Sequence, residues 1–327
     1  MENKARVIAG RIRTGKDVKT SSGKSRSGGP EVELTNPDKL LFPAEKITKG
    51  EFVSYYEKTA GIMLPHLKGR LISMQRFPEG IAEGHFFQKQ APGYFPEWVN
   101  RVPVDLRHEG RKTYITCDNR QTLVYLANLV CIPHVWLSRV DKLNYPDRLI
   151  FDLDPPAGSD DFEPVKYAAL IFKEVLEELG VKPFLMLTGS RGLHVVVPLD
   201  RSADFRHAFD FARDVANVLI GMAPEHLTTE LNKTRRGKRV FIDIFRNAFA
   251  QTAVAPYSVR ARAGAPVAAP ALWSEISGRG KIRSTSFNIR NIGKRLAGKG
   301  DLWKNIGSSP YSIAELAWAL KKKFGSV

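Results

Sequence analysis

Apolar positions first fall into a regular pattern after Thr48, where Phe52, Tyr55, Tyr56, Thr59 and Met63 recur at the i, i+3, i+4 spacing of one helical face. Thr48 with Glu51 three residues on is a capping-box pattern at the start of that helix. Residues 71–77 and 112–116 read as strands, and an apolar stretch over 121–130 reads as a second helix. From Leu149 the pattern becomes strand, helix, strand. A short apolar strand over 149–154 ends in acid, and a helix follows whose Val165, Ala168, Ala169, Phe172, Leu176 and Leu179 share a face before Gly180 stops it. Residues 183–187 and 195–198 predict a hairpin. A second amphipathic helix carries Phe205, Ala208, Phe209, Ala212, Val215, Ala216 and Leu219, and 239–243 returns as a strand. A last helix runs over 312–324, with Ser312 and Glu315 in capping-box spacing. The expected class is α/β with mixed sheets.

Length divides this pattern further. At 327 residues, and roughly 150 per domain, two units are expected: a module over 31–145 and another over 146–327. Residues 1–30 carry eight Lys or Arg against Glu2 and Asp17, with a Ser/Gly run and no apolar periodicity, the composition of a disordered basic tail. Both a solvated linker and a nonspecific phosphate-binding arm fit it. No window approaches the 18 or so consecutive apolar residues of a spanning helix, and the N-terminus lacks the apolar core of a signal peptide, so no membrane association and a cytoplasmic location are expected. Cys117 and Cys131 lack the spacing of a zinc knuckle or a redox pair. Charge adds the most: 50 Lys and Arg against 34 Asp and Glu leave +16, an excess that suits a polyanion.

Two segments carry candidate chemistry. Asp152 and Asp154, two apart at a strand end, leave one face of the sheet, and paired carboxylates suit a divalent metal that removes their repulsion. Asp243 is a lone acid on another apolar strand, and an unpaired charge there would be costly to bury. Loop capping or pairing with arginines is the alternative role for Asp152 and Asp154. Between two apolar strands, Thr188-Gly-Ser-Arg-Gly-Leu-His194 combines glycines, hydroxyls, a cation and an imidazole. Gly189 and Gly192 let backbone N–H groups approach anionic oxygens, while Thr188, Ser190, Arg191 and His194 add side-chain donors. The alternative is a tight turn followed by a core histidine. Neither a Walker GxxxxGK[ST] nor a Rossmann GxGxxG pattern is present.

Read together, FDLDPP at 151–156, TGSRGLHVVVPL at 188–199 and RVFIDIF at 239–245 resemble the three motifs of the archaeo-eukaryotic primase superfamily, specifically the polymerase domain of bacterial DNA ligase D. LTNPDKLLFP at 34–43, HFFQK at 85–89, HVW at 134–136 and APYSVRAR at 255–262 extend the resemblance from about Glu31 to the end. It implies a primase-polymerase fold, with an N-terminal α/β module and an RRM-like catalytic module. The implied activity is templated and untemplated nucleotide addition at broken or gapped DNA, ribonucleotides preferred, in nonhomologous end joining. Asp152, Asp154 and Asp243 then correspond to a triad for two divalent cations, Mn²⁺ or Mg²⁺. Thr188, Ser190, Arg191, His194, Arg246 and Arg260 correspond to nucleotide-binding positions for an NTP or dNTP. Lys39 and Lys49 correspond to lysines that grip a 5′-phosphate, and Phe86 or Phe87 to an aromatic that stacks on DNA. Double-stranded DNA ends, gapped DNA, Ku and a ligase domain are the implied partners. Arg191 stands where lysine is common, and Arg246 where some members have glutamine.

Two competing readings follow from the same residues. FDLD also begins the nucleophile motif of haloacid-dehalogenase-like phosphatases, but Pro155 and Pro156 remove two backbone donors a phosphate would use there. A nonenzymatic DNA-end-binding module needs only the basic charge and aromatic stacking. Three retained acids argue against it, because carboxylates repel DNA unless metal-bound. For the pair Phe86 and Phe87, strand alternation predicts one buried ring and one exposed ring.

Overall fold

The computed structural model describes residues 32–106, 109–278 and 282–325, so the expected basic tail lies outside the described residues. A short antiparallel pair, β1 (Leu40–Phe42) and β2 (Ile47–Thr48), leads into α1 (Lys49–Leu67). The capping box is formed: Glu51 N donates to Thr48 Oγ1 at 3.2 Å and Thr48 N to Glu51 Oε2 at 3.1 Å. Then come β3 (Leu71–Arg76), β4 (Phe86–Gln88), β5 (Arg101–Leu106), β6 (Gly110–Thr116), α2 (Arg120–Asn128) and β7 (Cys131–Trp136). Helix α2 stops two residues before the expected 130, because Val130 takes φ +53° to turn the chain into β7.

The rest of the chain follows as β8 (Arg148–Asp154), α3 (Glu163–Glu178), β9 (Phe184–Leu187), β10 (Leu193–Pro198), α4 (Phe205–Met222), β11 (Leu227–Thr228), β12 (Val240–Asp243), β13 (Thr252–Val254), β14 (Ala269–Ala271), α5 (Trp273–Ser277), α6 (Ile292–Lys299) and α7 (Ile313–Phe324). Helix α3 ends as its sequence dictates. Gly180 at φ +79° donates to Glu177 O, and Val181 N reaches back to Leu176 O, satisfying the last carbonyls. Helix α7 forms, but Ser312 makes no side-chain capping bond. The helix is fixed instead by burial of Ile313, Leu316 and Leu320.

Two six-stranded sheets organise these elements. The first has the order β13-β7-β3-β6-β5, with β4 added beside β3, and all its pairings are antiparallel. In the second, β11-β12-β8-β10-β9-β14, only β11 and β12 run parallel. This is a mixed α/β architecture. The division expected at 145/146 falls between β7 and β8, and β13 crosses back over it to edge the first sheet.

Strand alternation sets the faces of the second sheet. Leu149, Phe151 and Leu153 point into a core with Val165, Phe172, Phe211 and Val215 of α3 and α4. Ile150 points the other way, with Met186 and Val196, into the core of the first sheet. Asp152 and Asp154 share the parity of Ile150 and therefore leave β8 on the side of the first sheet. Where β12 no longer pairs with β8, a side chain substitutes for a strand: buried Asn247 accepts from Ile150 N at 2.8 Å and donates to Ile150 O at 2.7 Å.

Candidate active site

Strand register assembles the acids. Asp152 is directly opposite Asp243 on β12 and opposite His194 on β10, so the three side chains form one row across the sheet. Asp154 follows on the same face. Arg246, in the turn after β12, lies between two of the acids, with Nε 3.2 Å from Asp152 Oδ2 and 3.3 Å from Asp243 Oδ2. His194 Nε2 lies 3.5 Å from Asp152 Oδ1.

These contacts separate the carboxylates electrostatically. Burial would raise Asp152, but His194 and then Arg246 outweigh it and hold that carboxyl below its ordinary range. For Asp154, burial first and the Asp152 charge second push the carboxyl up to about 6. Asp243 also moves upward, through burial and Asp152, against the pull of Arg246. For Asp154 and Asp243 the nearby cations thus do not offset burial and the Asp152 charge.

The 188–194 loop faces this row from the β9–β10 turn. Thr188 Oγ1 donates to Gly192 O at 2.9 Å, and Arg260 Nη1 donates to Thr188 O at 2.8 Å. Both glycines are required by space. A Cβ on Gly192 would sit 2.0 Å from Leu153 O, and Gly189, at φ +65°, would bring one within 2.8 Å of the Val267 backbone. Thr188, Ser190, His194, Arg246 and Arg260 line a cleft of about 140 Å³ with Asp152 and Asp154. Arg191 does not line it, but its charge opposes the rise of Asp154. Asp243 is reached through Arg246.

The opposite wall comes from the first sheet: His134 on β7 and Thr252, Ala253 and Val254 on β13. Sequence reasoning gave these residues no role. The one available signal was His134, an imidazole in an otherwise apolar strand; its Nε2 lies 3.2 Å from Gln75 Oε1, and burial, then Arg260, drives it well below its ordinary pKa. Ser284, which donates to Gly192 O at 2.6 Å and braces the loop, had no signal.

Whether the cleft suits metal and phosphate can be judged from its own atoms. Among the described residues no group of three or more His, Cys, Asp or Glu side chains is placed to hold a metal ion, and Arg246 bridges Asp152 and Asp243. The donor set nonetheless fits a divalent cation, being hard oxygens whose mutual repulsion is incompletely relieved. His194 Nδ1 and Arg260 Nε are buried with no hydrogen-bond partner among the described residues, as donors for phosphate oxygens would be.

The remaining expected residues lie away from this row. Lys39 pairs with Glu79 at 2.6 Å, and Lys49, only 6% exposed, donates to Thr35 Oγ1 at 2.7 Å. Burial, then the nearby Lys39 ammonium, lowers Lys49. The expectation of one buried and one exposed ring is corrected: Phe86 and Phe87 are 48% and 53% exposed. The three-residue β4 pairs only with the end of β3, and each ring is left about half exposed. Arg76 lies over Phe86, and Phe87 meets His134 edge-on at 5.2 Å, which puts it beside the cleft wall.

The two-sheet fold thus brings Asp152, Asp154, three residues of the basic loop and two arginines into one cleft, with Asp243 beside it. A solved structure, the polymerase domain from Mycobacterium tuberculosis ligase D in complex with DNA, matches with a TM-score of 0.79 at 32% identity, over 86% of this chain and 99% of that one. The chain belongs to the LigD primase-polymerase domain family, whose model matches residues 48–303. It is 35% identical over 274 residues to the multifunctional non-homologous end joining protein LigD of Mycolicibacterium smegmatis, covering 83% of this chain and 35% of that protein. The bifunctional LigD of Bacillus subtilis is 30% identical over 300 residues, 90% of this chain and 47% of the relative. The chain thus spans about a third to a half of the length of these relatives. Among the described residues no helix is long and apolar enough to cross a membrane.

Proposed function

We propose that this chain adds nucleotides, ribonucleotides preferentially, to DNA 3′ ends and fills gaps during nonhomologous end joining. The observation that carries the reading is the row Asp243–Asp152–His194, with Asp154 beside it, facing the basic loop and Arg260, where His194 Nδ1 and Arg260 Nε are buried without partners among the described residues. Asp152, Asp154 and Asp243 would hold two divalent cations, Mg²⁺ or Mn²⁺, which when bound activate the 3′-hydroxyl and steady the leaving pyrophosphate. Thr188, Ser190 and His194 would orient the triphosphate, with Arg191 alongside, and Arg246 and Arg260 would neutralise charge that develops on it. Buried walls from both sheets exclude water and strengthen each of these contacts. Lys39 and Lys49 would bind a 5′-phosphate across the gap, and Phe87 would stack on a base. The relatives' names support the repair setting, and DNA in the M. tuberculosis complex supports the polymer.

Primer extension on gapped DNA, with each NTP and dNTP and with Mg²⁺ or Mn²⁺, tests this reading. Incorporation is expected for wild type only with metal. Asp152→Ala and Asp243→Ala should abolish it while leaving DNA affinity equal or slightly higher. Wild-type incorporation by either variant would overturn the assignment, and phosphate monoester hydrolysis without incorporation would favour a phosphatase.

A further inference from the structure

A larger cavity, of about 470 Å³, lies at the other end of β8 from the acids. Arg148 begins that strand and Asp154 ends it, so the two sites are about 20 Å apart along the sheet at roughly 3.3 Å per residue. The volume is within the range of small-molecule sites, roughly 300–1,000 Å³. Its charge is unbalanced. Arg148 lines the cavity and is 5% exposed, yet among the described residues its guanidinium makes no hydrogen bond and no ion pair within 4.0 Å. The Trp303 ring lies 5.7 Å from its guanidinium.

Nearby carboxylates are committed elsewhere. Asp147 Oδ2 is shared by Arg70 at 2.6 Å and Arg139 at 2.9 Å. Asp301 holds His66 at 2.8 Å, Tyr257 at 2.7 Å and Trp303 N at 2.9 Å, and Asp141 takes Arg201 at 2.7 Å. Asp147 Oδ1 is without a partner, but it too is more than 4.0 Å from Arg148. Asp147 and Asp301 offset part of its charge from beyond contact distance, but a buried guanidinium with no anion in contact is costly to the fold. Burial, then repulsion from Arg70, lowers Arg148 to about 9. Lys304 adds a cation at the exposed rim, while Pro65, Leu199, Ile306 and Pro310 make the walls apolar.

We propose that this cavity binds a small phosphate ester, with Arg148 gripping the phosphate and the apolar walls covering the organic body. The guanidinium fork suits two phosphate oxygens, and a bare anion would leave the apolar walls unused. This site is separate from the acid cleft and does not depend on the function proposed for it.

The test is calorimetric titration of the full chain in EDTA, on an Arg260→Ala background that weakens anion binding in the cleft. Inorganic phosphate, adenosine 5′-monophosphate and adenosine are the probes. The monophosphate should bind at least tenfold more tightly than inorganic phosphate, and adenosine should give no measurable heat. Arg148→Met should cost the monophosphate tenfold or more with no fall in melting temperature, and Lys304→Glu, which cannot disturb the core, about threefold to tenfold. Equal affinities for phosphate and its ester, or monophosphate binding unchanged in Lys304→Glu and in folded Arg148→Met, would overturn the proposal. So would unchanged monophosphate binding with lost DNA affinity, which would assign Arg148 to a nucleic-acid surface.

Discussion

Phe86 and Phe87 show how residue-scale reasoning fails when a strand has no neighbour to bury it. Alternation predicted one buried and one exposed ring, but β4 pairs with only three residues of β3 and both rings are about half exposed. Because the half-exposed Phe87 ring meets buried His134 only edge-on, Phe87→Ala should lower the melting temperature little. It should weaken DNA binding about tenfold, since stacking a base on an aromatic contributes about 1–3 kcal/mol. Phe86→Ala should also spare stability, because its ring rests under Arg76 rather than in a core. Melting curves and anisotropy titrations read both; unchanged DNA affinity for both variants would remove stacking from the mechanism. Lys39 and Lys49 are different in kind, two ammonium groups held close enough that one lowers the other's pKa. Their double alanine variant should weaken binding to gapped DNA with a 5′-phosphate by about tenfold and matter little without that phosphate. An equal loss on both substrates would reduce the pair to a general basic surface.

At the scale of elements, the turn entering β8 is fixed by one carboxylate among cations. Burial would raise Asp147, but Arg70, Arg148 and Arg139 outweigh it and keep the folded-state pKa well below the ordinary value. A depressed carboxyl stabilises the fold fully above its unfolded pKa of about 3.9 and loses that contribution as pH falls toward the folded value. Asp147→Asn should therefore cost about 3–5 kcal/mol near neutrality by leaving buried Arg70 unpaired. Its stability should fall less steeply than wild type below about pH 4; parallel chemical-denaturation curves down to pH 2 would contradict this. What the sequence made legible follows the same physics. The helices α1, α3 and α4, buried on one side, appear where periodicity puts them, and the β9–β10 hairpin, though buried nearly throughout, was readable as two apolar runs around a glycine-bearing turn. Strand β7 was not, because Pro133 and His134 interrupt its apolar run although all six residues are buried. The acid row was half legible. Spacing gave Asp152 and Asp154 one face, but only register could put Asp243 and His194 on either side of Asp152. Arg246 between the acids, His134 on the far wall and Ser284 beneath the loop depend on long-range packing that local pattern does not encode.

For the molecule as a whole, the two sheets are joined where the chemistry lies. Residues Thr252–Val254 edge the first sheet, Asp243 is on the second, and the short segment between them carries both Arg246 and the Asn247 clamp on β8. Any shift of one sheet against the other thus moves the arginine relative to the acids, so the cleft is only as rigid as that packing. The same body carries most of the excess charge: of the net +16, six come from residues 1–30 and ten from the rest. Each phosphate contact contributes about −0.9 to the slope of log affinity against log salt on duplex DNA. Because Lys39 and Lys49 lie outside the N-terminal segment and ten of the sixteen net charges do too, the folded body should supply most of the phosphate contacts. A chain beginning at Val32 should therefore keep more than half the salt slope of the full chain, and at low salt it should extend primers at a comparable rate. Titrations of both chains on one gapped duplex between 50 and 300 mM salt, on the order of the range over which counterion release is read, provide the measurement. A slope that collapses toward zero on truncation would transfer the electrostatic grip to the first thirty residues and leave the cleft dependent on them for its DNA.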